Sequence, residues 1–459
     1  MPKDRPRDRT VYICRECGRE SPYWMGRCPG CQEWNTFVEK VVTRETSPKP
    51  RASVINPPQE LPLIEVRSQE RFSLPLPELN RVLGGGLVPG SLVLIGGDPG
   101  IGKSTLLLQI AALMSGPEGK VLYVSGEETK RQIKLRASRL QVKGEGLYLF
   151  SESDLDAILQ QIEQLEPRLA IVDSIQSVYL PDLDAAPGSI SQVRNCTLRL
   201  MRQAKLSDVP ILIAGHVTKE GAIAGPRVLE HIVDVVLYLE GESFSAYRLL
   251  RSVKNRFGTT SEVGVFEMKT QGLVEVANPS EVFLAERREG AIGSMVVPVL
   301  EGNRPLMVEI QALTNPTSFG LPRRTVSGLD FGRLLLITAV LSRRVGFKLG
   351  NQDVMVNATG GLRVREPAAD LGIALAIVSS FRDMPAPPGL VAMGEVGLSG
   401  ELRAVPQLER RLSEAARMGF QRCLIPESGA RNLTMHGNDM KLLPARSLRE
   451  AIRLVWGES

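Results

Sequence analysis

Gly97-Asp98-Pro99-Gly100-Ile101-Gly102-Lys103-Ser104 is the stretch that decides how this 459-residue chain is read. It fits G-x-x-x-x-G-K-[ST] at every position. The residue types follow from what a triphosphate needs. Glycines let backbone N–H groups turn inward around phosphate oxygens. The Lys103 ammonium reaches the β- and γ-phosphates, and the Ser104 hydroxyl reaches Mg2+. The loop follows a strand pattern at 91–96 and opens a helical pattern at 103–114, with Thr105 in its first turn. The positive end of that helix points at the same anion. ATP with Mg2+ is the implied ligand, held by residues 97 to 105.

On either side of the loop, apolar runs alternate with helical patterns. Strands are expected at 91–96, 120–125, 147–150, 169–172, 210–214, 233–239 and 247–254, and helices at 103–114, 130–140, 155–165 and 189–204. Apolar strands separated by helices predict a parallel sheet covered on both faces, ending in an antiparallel section where the helices stop. The fold class is therefore α/β. The run Leu169-Ala170-Ile171-Val172-Asp173 ends in an aspartate placed to orient a water on the metal, so Asp173 joins Ser104 as the magnesium pair. Strand 120–125 runs into Gly126-Glu127-Glu128 at the ligand end of the sheet. Glu127 is the candidate base for the attacking water, with Glu128 as the fallback. His216 and Thr218 reach the same edge, as a γ-phosphate sensor or as an ordinary polar strand end.

Cys14-x2-Cys17 and Cys28-x2-Cys31 stand ten residues apart, a spacing that places four thiolates around one tetrahedral Zn2+. So short a segment has no core of its own, and the metal supplies its folding energy. Tyr23, Trp24 and Trp34 mix there with Arg15, Arg19 and Arg27. Two readings stay open: rings forming a small core over the zinc, or rings stacking on single-stranded nucleic acid. Cys196 and Cys423 read as core thiols. Hydrophobic residues make up 43% and charged residues 23%, with a net charge of +5. That balance is ordinary for a globular chain and permits nucleic-acid contact without establishing it. No apolar run is long enough to cross a membrane, no secretory signal is recognised, and the paired cysteines suit a reducing cytoplasm. The segment 41–70 is rich in proline, serine and charge and reads as an extended linker. From about residue 279 the pattern changes to α+β: two strand-like runs in 293–311, a helix at 328–345, a strand at 354–364, and helices at 367–381 and 406–418.

The four cysteines, the loop GDPGIGKS, the segment Lys254-Asn255-Arg256-Phe257-Gly258 and the tail together resemble the bacterial RadA family, also called Sms, from about Val11 to Val455. The resemblance implies a zinc finger at 10–40, a linker at 41–70, a RecA-like ATPase domain at 71–280 and a Lon-protease-like domain at 281–459. It also implies a homo-hexameric, DNA-dependent ATPase of recombination and repair. Such a protein binds single-stranded and branched DNA, promotes branch migration, and has a RecA-type recombinase as partner. In the residues themselves, Lys254 and Arg256 alternate at a strand end and project to one face. Two cations there can neutralise DNA phosphates or reach a neighbouring subunit's ATP. The likeness to RecA favours the second.

The tail resembles the proteolytic domain of Lon, which works with a serine and a lysine. Here Glu366-Pro367-Ala368-Ala369-Asp370 puts Ala368 at the serine position, and the reading places Glu409 at the lysine. Neither supplies a nucleophile or a basic amine, so no peptidase activity is expected. Arg323, Arg324, Arg343, Arg344 and Lys348 offer a basic face for DNA or for solvent. Three function classes remain: a DNA-dependent ATPase and branch-migration helicase, an ATP-gated scaffold that loads a helicase or recombinase, and an ATP-dependent protease that Ala368 disfavours.

Overall fold

The computed structural model describes residues 9–42, 60, 71–117, 119–216, 229–241, 245–317, 320–361, 363–431, 433 and 440–457. Except for residues 41, 42 and 60, the expected linker lies outside them, and so does Thr218. By contacts the chain divides into two units. The first comprises Met1–Glu240, Leu250–Thr260 and Met268–Val274, and the second Gly241–Leu249, Ser261–Glu267 and Glu275–Ser459.

The first unit begins with a three-stranded antiparallel ribbon, β1 (Arg9–Cys14), β2 (Glu20–Ser21) and β3 (Phe37–Val42), in the order β2-β1-β3. The α/β core follows. Helix α1 (Pro77–Leu83) starts on a proline, whose missing N–H would be unpaired there anyway. The core continues with β4 (Leu92–Gly97), α2 (Lys103–Met114), β5 (Val121–Ser125), α3 (Lys130–Arg139) and β6 (Leu147–Ser151). Next come α4 (Leu155–Leu165), β7 (Leu169–Asp173), α5 (Ile190–Ser207), β8 (Ile211–His216) and β9 (Val235–Glu240). The sheet runs β12-β11-β10-β9-β4-β8-β7-β5-β6, where β10 is Tyr247–Asn255, β11 Val263–Lys269 and β12 Gly272–Glu275. From β9 to β6 the pairings are parallel, as expected. β4, β5 and β7 are buried at every residue, because helices cover both faces, and that explains their unbroken apolar runs. Three of these helices start at side-chain caps: Thr129 and Gln132 form a capping box on α3, Asp154 caps α4 and Ser189 caps α5. Cys196 on α5 is fully buried, as its apolar context implied.

The second unit is α+β. It holds α6 (Pro279–Leu284), β13 (Ser294–Glu301), β14 (Arg304–Pro316), β15 (Arg324–Ser327), α7 (Phe331–Val340), β16 (Gln352–Ala358) and α8 (Asp370–Arg382). After these come β17 (Leu390–Ala392), β18 (Glu395–Val396), β19 (Leu402–Arg403), α9 (Leu408–Arg417), β20 (Arg422–Pro426), α10 (Glu427–Ala430), β21 (Lys441–Ala445) and α11 (Leu448–Trp456). The main sheet is mixed, in the order β15-β16-β14-β13-β17-β20-β21. β13 and β14 form its antiparallel hairpin, while β17, β20 and β21 run parallel. α8 is buried continuously from Asp370 to Ser379, a helix apolar nearly all round because the core surrounds it. The helix expected over 328–345 is shorter, with α7 passing into a π turn at Leu341–Val345. The strand expected to 364 ends at Ala358, where Thr359–Gly361 turns. Cys423 is fully buried in β20.

Candidate ATP site and zinc centre

The phosphate loop occupies the turn between β4 and α2. Gly97 sits so close to β9 that a Cβ there would lie 2.6 Å from the Leu239 carbonyl oxygen. Gly102, the N-cap of α2, has φ 117°, a conformation that L side chains rarely adopt. Unlike α3, α4 and α5, α2 has no side-chain cap, so its first N–H groups stay open to an anion. Lys103 is 4% exposed, and its ammonium donates to the Gly97 carbonyl at 2.8 Å and the Asp98 carbonyl at 3.0 Å. Burial lowers its pKa, against the opposing pull of Asp173, Asp98 and Glu127. These three carboxylates are the acidic charges close enough to act on the ammonium, and they form the acidic side of the site.

β5 and β7 pair in parallel with Ser125 opposite Asp173, so Glu127 arrives beside the end of β7. Ser174 Oγ donates to Glu127 Oε1 at 2.6 Å. Glu128, the fallback, is instead ion-paired with Arg136. Asp173 is buried, and the fully buried Tyr123 donates its hydroxyl to Asp173 Oδ2 at 2.7 Å. Burial and the neighbouring Asp173 charge hold the Tyr123 pKa well above its ordinary value, so the phenol remains a donor. β8 pairs with β4 such that His216 stands opposite Gly97. His216 Nδ1 and Gln176 Oε1 are buried with no hydrogen-bond partner among the described residues. Uncapped helix, buried ammonium and acidic wall fit a triphosphate with its divalent cation.

Lys254 and Arg256 are not in this cluster. Arg256 N donates to the Asp234 carbonyl and Asp234 N to that of Leu92, at the start of β4. Gly97 closes the same strand, so five residues, roughly 17 Å, separate the two ends. The Lys254 ammonium donates to the carbonyls of Glu230 at 2.6 Å and Val233 at 2.8 Å, and Arg256 Nε lies 3.7 Å from Asp234 Oδ1. Both cations turn to one neighbourhood, and it is the end of the sheet away from their own phosphate loop.

In the ribbon, Cys14, Cys17, Cys28 and Cys31 bring their sulfurs within 4.8 Å of one another, with Cys14 to Cys31 at 3.6 Å and Cys17 to Cys28 at 3.4 Å. Tetrahedral Zn–S bonds of about 2.3 Å require S···S separations near 3.8 Å, so the four thiols fit zinc. Burial raises the Cys28 pKa, but the backbone N–H groups of Cys31 and Gly30 together with the Cys17 and Cys14 thiols outweigh it and bring the thiol down to about 6. The small core over the cysteines is Phe37 with Tyr12 and Met25. Tyr23, Trp24 and Trp34 are not part of it: they are 64%, 52% and 67% exposed, and Arg27 stacks 5.7 Å over Trp34. The reading of these rings as a core is corrected. The space against the cysteines is already filled by Phe37, Tyr12 and Met25.

The tail also corrects one assignment. Glu409 lies on the exposed face of α9. The residue turned toward Glu366-Pro367-Ala368 is Arg411, fully buried, donating to Glu366 Oε1 at 2.7 Å and Oε2 at 2.6 Å. Leu408, Arg411, Leu412 and Ala415 form the buried stripe of the helix, and Glu409 falls off it. In the basic group, Arg324 donates to the carbonyls of Leu349 and Gln352, and Arg344 to that of Leu398.

Fold and site define a P-loop ATPase of the AAA class with a four-cysteine zinc ribbon. Residues 57–222 match the family model of the AAA domain, and residues 12–39 that of the rubredoxin metal binding domain. Residues 318–429 match the model described as subunit ChlI of Mg-chelatase. The chain is 52% identical to DNA repair protein RadA of Listeria monocytogenes over 449 residues, 97% of each chain. It is 50% identical to that of Bacillus subtilis over 454 residues, 98% of this chain and 99% of the relative. The chain belongs to the RadA family of DNA repair proteins. Among the described residues no helix is long and apolar enough to cross a membrane.

Proposed function

We propose that the chain is a DNA-dependent ATPase that binds single-stranded and branched DNA and drives branch migration as a cytoplasmic homo-hexamer, with a RecA-type recombinase as partner. The supporting observation is that Lys254 and Arg256 sit at the end of the sheet away from their own phosphate loop. Cations there serve a nucleotide only if it belongs to another subunit, as a ring of RecA-like cores (residues 71–280) provides.

In this reading Lys103, the loop N–H groups and Thr105 hold the triphosphate. Mg2+ held by Ser104 and Asp173 supplies positive charge to the phosphate oxygens, and Tyr123 fixes the Asp173 carboxylate that faces it. Glu127, steadied by Ser174, orients the attacking water and accepts its proton. Lys254 and Arg256 of an adjacent subunit neutralise charge that develops in transfer. Loss of those contacts on hydrolysis shifts the subunit interface. The ribbon (10–40) carries four cations, Arg15, Arg19, Arg27 and Lys40, and four anions, Glu16, Glu20, Glu33 and Glu39, so any grip of Tyr23, Trp24 and Trp34 on DNA rests on stacking. The tail (281–459) serves binding or assembly and not peptide cleavage. Ala368 has no nucleophile, and Arg411 is a permanent cation bound to Glu366.

The test is ATP hydrolysis by the zinc-loaded protein with and without single-stranded DNA at two salt concentrations. Stimulation that weakens with salt supports the reading. Hydrolysis indifferent to DNA would overturn it in favour of a scaffold.

A further inference from the structure

Arg71 belongs to no sequence pattern, yet its guanidinium donates to three backbone carbonyls. These are Gly84 and Leu83 at the end of α1, the latter at 3.4 Å, and Phe257 at 2.6 Å. Asn255 Nδ2 donates to the same Leu83 carbonyl at 3.2 Å, and Asn255 Oδ1 accepts from Phe257 N at 2.9 Å. Gly84 and Gly258 meet backbone to backbone: a Cβ on Gly84 would stand 3.3 Å from Gly258 Cα and 3.2 Å from Arg71 Nη1. Lys205 lies 5.8 Å over the Phe257 ring and also pairs with Asp234 at 3.0 Å. Asn255, Phe257 and Gly258 are thus the fastening of the segment, and they alternate or adjoin with the two cations it presents. The fastening partner is the end of α1, and the Arg71 guanidinium reaches both from outside the segment, alongside Asn255 within it. A planar guanidinium can span three oxygens in this way, where a lysine ammonium would act as a point charge.

We propose that Arg71 is a positioning residue for Lys254 and Arg256, setting the height and direction of the segment without touching nucleotide. This rests on the reading that those cations act on an adjacent subunit's ATP. It also assigns a role to the residue where the N-terminal segment meets the ATPase core. A shift of the segment by an ångström removes the cations from their range.

The experiment uses the full-length protein with single-stranded DNA. Arg71→Ala should lower DNA-stimulated turnover roughly 10- to 100-fold, the scale of a misplaced catalytic group. Its affinity for a fluorescent ATP analogue should match the parent, because its own phosphate loop is at the other end of the sheet. Mixing Arg71→Ala with Lys103→Ala subunits should restore turnover, since one contributes an intact phosphate loop and the other an intact cation segment. Lys254→Ala mixed with Lys103→Ala is the control. If the control pair recovers and the Arg71 pair does not, Arg71 has another role and the proposal fails. If neither recovers, the trans reading itself fails. Unchanged turnover in Arg71→Ala, or weakened analogue binding, would also overturn the proposal. Arg71→Gln, which keeps amide donors on a shorter stem, replaces Arg71→Ala should that variant not fold.

Discussion

At the candidate nucleotide site Tyr123 donates to Asp173, and Lys103 is held by the Gly97 and Asp98 carbonyls. Lys103→Ala removes the only ammonium among the described residues that donates to the loop. It should reduce ATP turnover about 100-fold or more while leaving the sheet folded. Tyr123→Phe removes a single hydroxyl from Asp173 and nothing from the packing. Its expected effect is on metal affinity, about tenfold in the Mg2+ concentration needed, with turnover at saturating Mg2+ close to the parent. A magnesium titration of hydrolysis checks it, and an unchanged requirement would remove Tyr123 from the site. His216 gives a pH signature. Burial and the Lys103 charge lower its pKa below the ordinary 6.5, partly offset by Glu127 and Asp173. The unfolded chain therefore takes up this proton more readily than the folded one. Stability is full above pH 6.5 and falls as pH drops from there toward the lower folded pKa. His216→Asn should flatten the decline in thermal midpoint between about pH 7 and pH 5 relative to the parent.

At the scale of elements, two features separate structure from chemistry. α2 begins without a side-chain cap while the three helices after it are capped, so its N-terminal N–H groups remain for the ligand. The ribbon is the opposite case, an element whose geometry is closed around its cysteines. Chelating zinc should unfold residues 9–42, seen as a change in Trp24 and Trp34 emission, and readdition of zinc should reverse it. On α9, the Arg411 pair with Glu366 is buried on one side and bidentate. Arg411→Met leaves the half-buried Glu366 carboxylate without its guanidinium, keeping only the Leu300 N–H as a partner among the described residues, and should cost about 3 kcal/mol of stability. Urea denaturation of the variant measures that cost, and a loss under about 1 kcal/mol would mean Glu366 finds water instead.

At the scale of the molecule, the sheet of the first unit has two working ends. Loop, acidic wall and His216 gather where the parallel strands finish, and the Lys254 to Gly258 segment packs where they start. A monomer cannot join these ends. Turnover should therefore rise with protein concentration through the range where subunits assemble, and size measurement alongside hydrolysis checks this. Concentration-independent specific activity in a monomeric sample would contradict the trans arrangement.

The local chemistry was legible from the chain alone. Gly97 to Ser104 and the four cysteines are short-range patterns, since a phosphate cradle and a zinc knuckle are each built within a few residues. Alternating apolar runs announced the parallel sheet, because strands covered on both faces have no polar positions. Three-residue β17 and the strand β21 carried no such signal, being too short for a period to show. Glu127 beside Ser174, Tyr123 bonded to Asp173, Arg71 across to Phe257, and Arg411 in place of Glu409 depended on partners 45 to 186 residues away. Which face of a helix is buried, and which strand lies next to which, is decided only when the sheets assemble. Composition and spacing therefore determined the phosphate loop, the four-cysteine cluster and the fold class, and tertiary packing decided which side chains brace them.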